Sequence, residues 1–135
     1  MRIITSTNAL TNWYQLEIQK RIPGTVCWRH NVGGGYPIAT IAKVNGALMD
    51  RDYATAVMIL RRSRPVMFGG LAGLPDICGI LPDGRWLGVE LKGEKDGQRD
   101  AQKVCERVFK ERGAVYVVVR DEAGIEDVVR AVAGE

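Results

Sequence analysis

Two short strands joined by a turn are predicted by residues 75–92, PDICGILPDGRWLGVELK. Positions 77–81 and 86–91 are mostly apolar, and Pro-Asp-Gly at 82–84 is typical of a turn. Because side chains alternate along a strand, Glu90 and Lys92 point to one face and Leu91 points to the other. Charged residues beside apolar strand residues are unusual unless the charges bind something.

The turn decides where Asp76 points. Asp76 shares a face with Glu90 and Lys92 only if it pairs opposite an even-numbered residue. A two-residue turn at Asp83-Gly84 would pair position 82 with 85, and therefore 76 with 91, which would turn Asp76 to the wrong face. We therefore predict a loop with an odd number of residues, or a bulge, at this point.

The rest of the chain predicts one α/β domain. The order α-β-(β)-β-β-α-β-α indicates a mixed central sheet flanked by helices. The segment 50–64 fits a helix or a strand equally well, because short apolar runs do not separate the two. The other predicted elements are a helix over 9–20 with Thr11 as N-cap, a strand over 25–30, a strand over 38–44 ending in an Asn45-Gly46 turn, a helix over 98–112 ended by Gly113, a strand over 114–119 and a closing helix after Asp121.

Composition places the chain among ordinary globular proteins. It has 135 residues, 46% hydrophobic and 26% charged, with a net charge of +3, which suits a single domain and permits a polyanionic partner. Cys27, Cys78 and Cys105 form no CxxC pair, so we expect reduced thiols and no zinc ribbon. No segment resembles a signal peptide or a membrane helix, so we expect a cytoplasmic protein.

Several enzyme classes are disfavoured by the residues available. The chain has one histidine, His30, and two serines, Ser6 and Ser63, and it has no GxSxG elbow. It also has no GxxxxGK[ST] loop for a nucleoside triphosphate. Carboxylate, lysine and arginine remain in quantity, and they suit hard-metal and phosphate chemistry.

Asp76, Glu90 and Lys92 are the candidate catalytic residues. Carboxylate oxygens are the ligands of Mg²⁺ or Mn²⁺, and the main-chain carbonyl of Leu91 could complete the shell. Such an ion withdraws charge from a phosphate and acidifies water. The ammonium group of Lys92 adds a positive charge near the reacting phosphate.

With these residues in view, the chain resembles the PD-(D/E)XK nuclease superfamily and, within it, the VRR-NUC (virus-type replication-repair nuclease) family. The resemblance covers about the last 70 residues well, residues 1–35 loosely and residues 36–67 not at all. The matching pieces are Pro75-Asp76, the turn after it, Glu90-Leu91-Lys92, Gln102, Gly113-Ala114, Glu17 and Arg29-His30-Asn31.

The resemblance implies a single-domain PD-(D/E)XK fold of the restriction-endonuclease type, with residues 36–67 an unassigned segment or insertion. It implies a DNA endonuclease that depends on Mg²⁺ or Mn²⁺ and prefers branched or Holliday-junction-like DNA, as in DNA repair. Stand-alone phage and bacterial members are expected to be homodimers. Glu17 would be a further catalytic and metal-binding carboxylate, and Gln102 an auxiliary catalytic group.

Several other residues fit either a functional or a structural interpretation. Basic and polar side chains could bind DNA or simply be solvated, and His30 could bind phosphate or be structural. Residues 33–35, three glycines, could form a phosphate-binding nest or a flexible loop. The candidate DNA contacts are Arg29, Asn31, Arg61, Arg62, Arg64, Arg99 and Lys103.

Two other functions are compatible with the same residues. The first is a non-catalytic DNA-binding module on a nuclease scaffold. The second is a structural or regulatory α/β protein without a nucleic-acid partner.

Overall fold

A mixed four-stranded sheet organises the larger of two units into which the chain divides. The structure, a computed structural model, describes residues 3–30, 33–68 and 71–135, and it describes only the backbone of residues 33, 34, 67 and 68. We call Met1–His30 with Leu71–Glu135 the sheet unit, and Asn31–Gly70 the hairpin unit. The hairpin unit contains the whole segment 36–67 that matched no motif, and the interpretation of the chain as one domain stays a prediction.

The sheet unit contains the elements that hold the predicted catalytic residues. They are α1 (Thr7–Arg21), β1 (Val26–Arg29), β4 (Ile77–Ile80), β5 (Trp86–Leu91), α4 (Asp100–Glu111), β6 (Val115–Val119), a 3-10 turn (Glu122–Gly124) and α5 (Ile125–Ala133).

The sheet has the strand order β1-β4-β5-β6. β1 and β5 both run antiparallel to β4, and β6 runs parallel to β5. A parallel pair requires a crossover, which α4 provides between β5 and β6. Within the described residues, the predicted mixed α/β architecture is therefore confirmed, with a four-stranded mixed sheet and five α-helices.

The loop between β4 and β5 has three residues. Leu81 N–H donates to the Arg85 carbonyl (2.9 Å) and Gly84 N–H donates to the Leu81 carbonyl (2.9 Å), so residues 82–84 form the turn. Gly84 has φ +86°, the left-handed conformation that this type of hairpin loop requires at its last position. The predicted odd loop length is confirmed.

The odd-numbered positions of β4 and β5 face the hydrophobic core. Ile77, Val89 and Leu91 are buried there together with Tyr14 and Val128. Tyr14 lies on α1 and Val128 lies on α5, so these two helices cover one face of the sheet. The even-numbered positions, including Glu90, face the other way.

The hairpin unit has its own elements. It contains β2 (Gly33–Gly35), α2 (Ile38–Met49), α3 (Tyr53–Arg62) and β3 (Val66–Phe68). β2 and β3 form a two-stranded antiparallel sheet. The three glycines predicted as a nest or a loop are therefore a strand.

Two local predictions were wrong. Residues 38–44, predicted as a strand, begin helix α2, and Asn45-Gly46 lies inside that helix. Contacts between α2 and α3 outweigh the weak strand preference of a few β-branched residues. Thr11 is not the N-cap of α1: its hydroxyl donates to the Thr7 carbonyl (2.8 Å) within the helix, and Ser6 caps the helix.

The ambiguous segment 50–64 is resolved as a helix. Asp52 caps α3 by accepting a hydrogen bond from Thr55 N–H (3.1 Å). The three cysteines are free and buried. No described helix has the length and apolar character needed to cross a membrane.

The turn glycine provides a test of the turn conformation. Gly84→Ala should lower the free energy of unfolding by about 1 kcal/mol, because a Cβ disfavours positive φ, although the added methyl would meet no atom within 4 Å. Urea denaturation measures the change. The control is Gly97→Ala, since Gly97 is also open to a Cβ and does not have a positive φ. Equal stability of the two variants would contradict the prediction.

Candidate active site

Asp76 and Glu90 lie opposite each other on the same face of the sheet. Ile77 pairs with Val89, so the next pair outward along the two strands is Asp76 and Glu90. Asp76 Oδ2 accepts a hydrogen bond from Leu91 N–H (2.8 Å). The Asp76 carbonyl accepts one from His30 N–H (2.7 Å), which ties this residue to the end of β1.

Glu90 is a buried carboxylate, 2% exposed. Its Oε1 is 2.9 Å from Lys92 Nζ and also accepts a hydrogen bond from Gln102 Nε2. Its Oε2 is buried and has no hydrogen-bond partner among the described residues. A buried carboxylate oxygen without a partner is costly, so this atom is the natural place for a bound cation.

Gln102 joins the helix α4 to the strand β5. Its Oε1 accepts hydrogen bonds from Lys92 Nζ (2.8 Å) and from Arg99 N–H (2.9 Å). The second bond satisfies the main-chain N–H of Arg99, the N-cap residue of α4. The start of the helix therefore positions the amide that holds both Glu90 and Lys92, and the predicted Gln102 is brought into the site.

Gly73 supports the geometry of the site, and this role was not predicted from the sequence. It has φ +90°, and a Cβ there would lie 2.3 Å from the Ala101 carbonyl oxygen. The loop that leads to Asp76 can therefore approach the first turn of α4 only with glycine at this position. The Gly-Leu-Pro-Asp run at 73–76 is the signal that could have indicated this contact.

The electrostatics of the site centre on Glu90. Burial raises the pKa of the Glu90 carboxyl above its ordinary value, the hydrogen bond from Lys92 opposes this, and the negative charge of Asp76 adds to the increase. Burial also raises the pKa of the neighbouring Cys78 thiol to about 11.

The donor set suits a hard divalent cation. In a strand, the N–H and C=O of one residue point to the same side; since Leu91 N–H donates to Asp76, the Leu91 carbonyl also points toward β4. Two carboxylates and one main-chain carbonyl, completed by water, are ligands that Mg²⁺ and Mn²⁺ accept. Among the described residues, no group of three or more His, Cys, Asp or Glu side chains is arranged to hold a metal ion.

Two further polar groups border this face. His30 lies in register with Asp76 at the end of β1, and its Nε2 is buried. Tyr116, paired with Gly88 across β5 and β6, has a buried hydroxyl. Neither atom has a hydrogen-bond partner in the described part of the chain. The alternation of β6 could have indicated that Tyr116 shares the face of Glu90, but that position was interpreted only as part of a buried strand.

Glu17 does not join these residues. It lies on α1, beside Ile18, which packs into the core on the opposite face of the sheet. Its carboxylate is 3.0 Å from Arg21 Nε and 3.7 Å from Lys20 Nζ. The arrangement therefore places Glu17 in a partly buried ion-pair group on α1, because α1 covers the core and not the Asp76–Glu90 face.

The predicted DNA contacts belong to both units. Arg99 and Lys103 are exposed at the start of α4, next to Gln102. Arg29 donates instead to Asn8 Oδ1 (2.9 Å) and Asn12 Oδ1 (3.0 Å) on α1. The remaining ones are Arg61, Arg62 and Arg64, which belong to the hairpin unit, and Asn31, which lies outside the described residues.

Compared with models of protein families, with curated proteins and with solved structures, the chain matches none. What the protein does must therefore be inferred from four residues that meet on one face of the sheet, which we call the carboxylate site: Asp76, Glu90, Lys92 and Gln102.

The raised pKa of Glu90 has a consequence for stability. A carboxyl group whose pKa is higher in the folded than in the unfolded protein stabilises the fold, and this contribution is largest below the unfolded-state pKa. The contribution is lost as pH rises through the folded-state pKa. In EDTA, we therefore expect the unfolding free energy of the wild type, relative to Glu90→Gln, to fall as pH rises above about 4.5. Urea denaturation across this range measures the difference.

The matched control for this titration is Glu111→Gln, which removes an exposed carboxylate at the end of α4. Its stability relative to the wild type should change less with pH than that of Glu90→Gln. If the difference in unfolding free energy between wild type and Glu90→Gln did not change with pH, it would contradict the interpretation that burial of the charged Glu90 carboxylate destabilises the fold.

Proposed function

We propose that this protein is a metal-dependent DNA endonuclease with a PD-(D/E)XK-type fold. The observation that carries the proposal is the pairing of Asp76 with Glu90 on one face of the sheet, beside the Lys92 ammonium group. Glu90 Oε2 is buried there and has no hydrogen-bond partner in the part of the chain that the structure describes. Two carboxylates and a lysine in this arrangement suit phosphodiester hydrolysis better than a structural ion pair, which would leave no oxygen unsatisfied.

Three groups would hold the ion. They are the Asp76 carboxylate, Glu90 Oε2 and the Leu91 carbonyl, and Mg²⁺ or Mn²⁺ is the ion that this oxygen set suits. When bound, such an ion supplies positive charge to the phosphate and acidifies water. The burial of Glu90 strengthens its attraction for a cation, because the surroundings have a low dielectric constant.

Lys92 would act on the phosphate or on the attacking water. Its ammonium group has three N–H donors, and two are directed to Glu90 Oε1 and Gln102 Oε1. The third can donate to a phosphate oxygen or orient a water molecule, where a positive charge stabilises the transition state. Gln102 positions both Glu90 and Lys92 and has no need to contact the substrate.

The polyanionic substrate is supported by the position of Arg99 and Lys103. Both are exposed at the start of α4, within one helical turn of Gln102, where they can contact phosphates that flank the scissile bond. The preference for branched or Holliday-junction-like DNA, the homodimer and the place in the VRR-NUC family are proposals that rest on the resemblance of the sequence.

Cleavage by isosteric variants tests the proposal. Asp76→Asn and Glu90→Gln should each lower the rate of Mg²⁺- or Mn²⁺-dependent DNA cleavage by at least ~100-fold, because charge stabilisation by a metal ion is worth several kcal/mol. The assay compares a four-way junction, a linear duplex and a single strand, with EDTA as the blank. Both variants should remain folded and bind DNA.

The control for these variants is Asp127→Asn, which removes an exposed carboxylate on α5 and should retain full activity. Full activity in Asp76→Asn or Glu90→Gln would refute the assignment of the site. DNA binding without cleavage of any substrate by the wild type would instead assign the chain to the non-catalytic binding module.

The position of Glu17 makes a separate prediction. Because its carboxylate is paired with Arg21 on the helix that covers the core, Glu17→Gln should retain most of the cleavage activity. It should lower the stability, since the Glu17 side chain is only 15% exposed and loses a charged partner. Single-turnover cleavage measures the first and urea denaturation the second. A loss of activity as large as that of Glu90→Gln would restore Glu17 to the catalytic set.

A further inference from the structure

The carboxyl end of β6 carries a positive charge that the proposed chemistry does not use. β6 runs parallel to β5, with Val118 opposite Glu90 and Val119 opposite Leu91. Val119 is part of the hydrophobic core. Because side chains alternate along a strand, the next residue, Arg120, is directed to the other face of the sheet, which carries Glu90.

Arg120 continues β6 in the way that Lys92 continues β5. Lys92 N–H donates to the Val119 carbonyl (2.9 Å), so the two chains stay side by side beyond the end of β5. Neighbouring strands lie ~4.8 Å apart, and Arg120 therefore lies about one strand spacing from Lys92, on the side away from Asp76. Two positive charges at adjacent strand ends thus border the carboxylate site.

The guanidinium group of Arg120 is held in place and still has free donors. Arg120 Nη1 donates to the carbonyl of Gly93, the residue directly after Lys92. A guanidinium group has several more N–H donors, and Arg120 is exposed. It forms no ion pair with a carboxylate in the part of the chain that the structure describes. A side chain that is already ordered loses less entropy when it binds a ligand.

A phosphate of the substrate strand is the anion that this group suits. The N–H fork of a guanidinium matches two phosphate oxygens. Asp76 and Glu90 lie on β4 and β5, so Arg120 stands between one and two strand spacings from them, about 5–10 Å. The scissile phosphate lies nearer to Lys92, and a neighbouring phosphate of the same strand is the group that Arg120 meets.

We propose that Arg120 binds the phosphate next to the scissile phosphate, so that the cleaved strand crosses the carboxyl ends of β5 and β6. The identity of the ligand rests on the proposed function. Arg120 is then a substrate-binding residue that contacts neither the ion nor the reacting atoms. A phosphate contact carries no sequence information, and Arg120 therefore holds DNA of any sequence in position beside Lys92.

Arg112 offers a matched control. It is also an exposed arginine that donates to a main-chain carbonyl, that of Val108 (3.4 Å). It follows α4 and precedes β6, so it lies near the amino end of this strand of five residues. A strand of this length separates the two arginines by roughly 16 Å. Arg120→Gln and Arg112→Gln each remove one positive charge, at opposite ends of β6.

The first experiment measures DNA binding in EDTA, by fluorescence anisotropy of a linear duplex and a four-way junction over a range of salt concentrations. Arg120→Gln should weaken binding about tenfold, because a hydrogen bond to a charged group is lost. It should also lower the slope of log K against log salt by about one, since one phosphate contact is lost. Arg112→Gln should retain the wild-type affinity and slope, and Arg120→Lys should retain the slope because it keeps the charge.

Three results of this experiment would overturn the proposal. If the slope of Arg120→Gln equalled that of the wild type while urea denaturation showed a lower stability, Arg120 would only hold the chain at Gly93. If Arg112→Gln lost as much affinity as Arg120→Gln, binding would respond to net charge alone. If the wild type bound no DNA, Arg120 would have no phosphate to contact.

Single-turnover cleavage provides the second test. Arg120→Gln should raise the DNA concentration at half-maximal rate about tenfold and leave the maximal rate nearly unchanged, because a contact with a neighbouring phosphate is the same in the ground state and the transition state. A fall in the maximal rate as large as that of Glu90→Gln would move Arg120 to the reacting phosphate and overturn the assignment.

Failure of this proposal is distinguishable from failure of the proposed function, because binding in EDTA does not depend on cleavage. If the wild type binds DNA through Arg120 and cuts no substrate, the endonuclease fails and the phosphate contact stands. If the wild type cuts DNA and Arg120→Gln binds and cuts equally well, the phosphate contact fails and the endonuclease stands.

Discussion

The register between β4 and β5 is the constraint on which both the core and the carboxylate site depend. The three-residue loop pairs Ile77 with Val89. Because side chains alternate along each strand, this pairing determines which face every other residue of β4 and β5 occupies. Odd positions such as Leu91 enter the core, and even positions carry Asp76 and Glu90. A loop shorter by one residue would turn a carboxylate into the apolar layer beneath α1 and α5, at a cost of several kcal/mol.

Glu90 shows how the site is balanced between stability and binding. Its burial is offset by Lys92 and by the amide of Gln102, yet Oε2 has no partner in the described part of the chain. A charged group left partly unsatisfied weakens the folded state. Under the proposed function, a bound Mg²⁺ or Mn²⁺ ion would remove this penalty. Functional sites are where such local deficits are expected.

The two units differ in how they bury apolar surface. The sheet unit encloses a core between its sheet, α1 and α5, and its stability follows from that layer arrangement. The hairpin unit encloses almost nothing, with Val44 and Ala56 as its buried residues among those described. Large apolar side chains such as Ile38 and Leu48 therefore stay exposed in this unit.

Local rules were enough for the part of the fold that strands and turns control. Strand alternation placed Glu90 and Lys92 on one face, and the parity of the loop placed Asp76 with them, because both depend only on the geometry of neighbouring residues. Helix α4 and strand β6 were also predicted from short-range patterns, to within two residues at their ends. These features were determined by the sequence alone.

Tertiary structure decided the other features of the fold and the site, because these features depend on which surfaces pack together. Residues 38–44 form a helix since they pack on α3, and no local preference outweighs that contact. Gln102 reaches Glu90 only because α4 begins against the loop at Gly73. Glu17 lies on the core side of the sheet because α1 buries Tyr14 and Ile18 there, and the periodicity of a helix does not specify which face of a sheet it will cover.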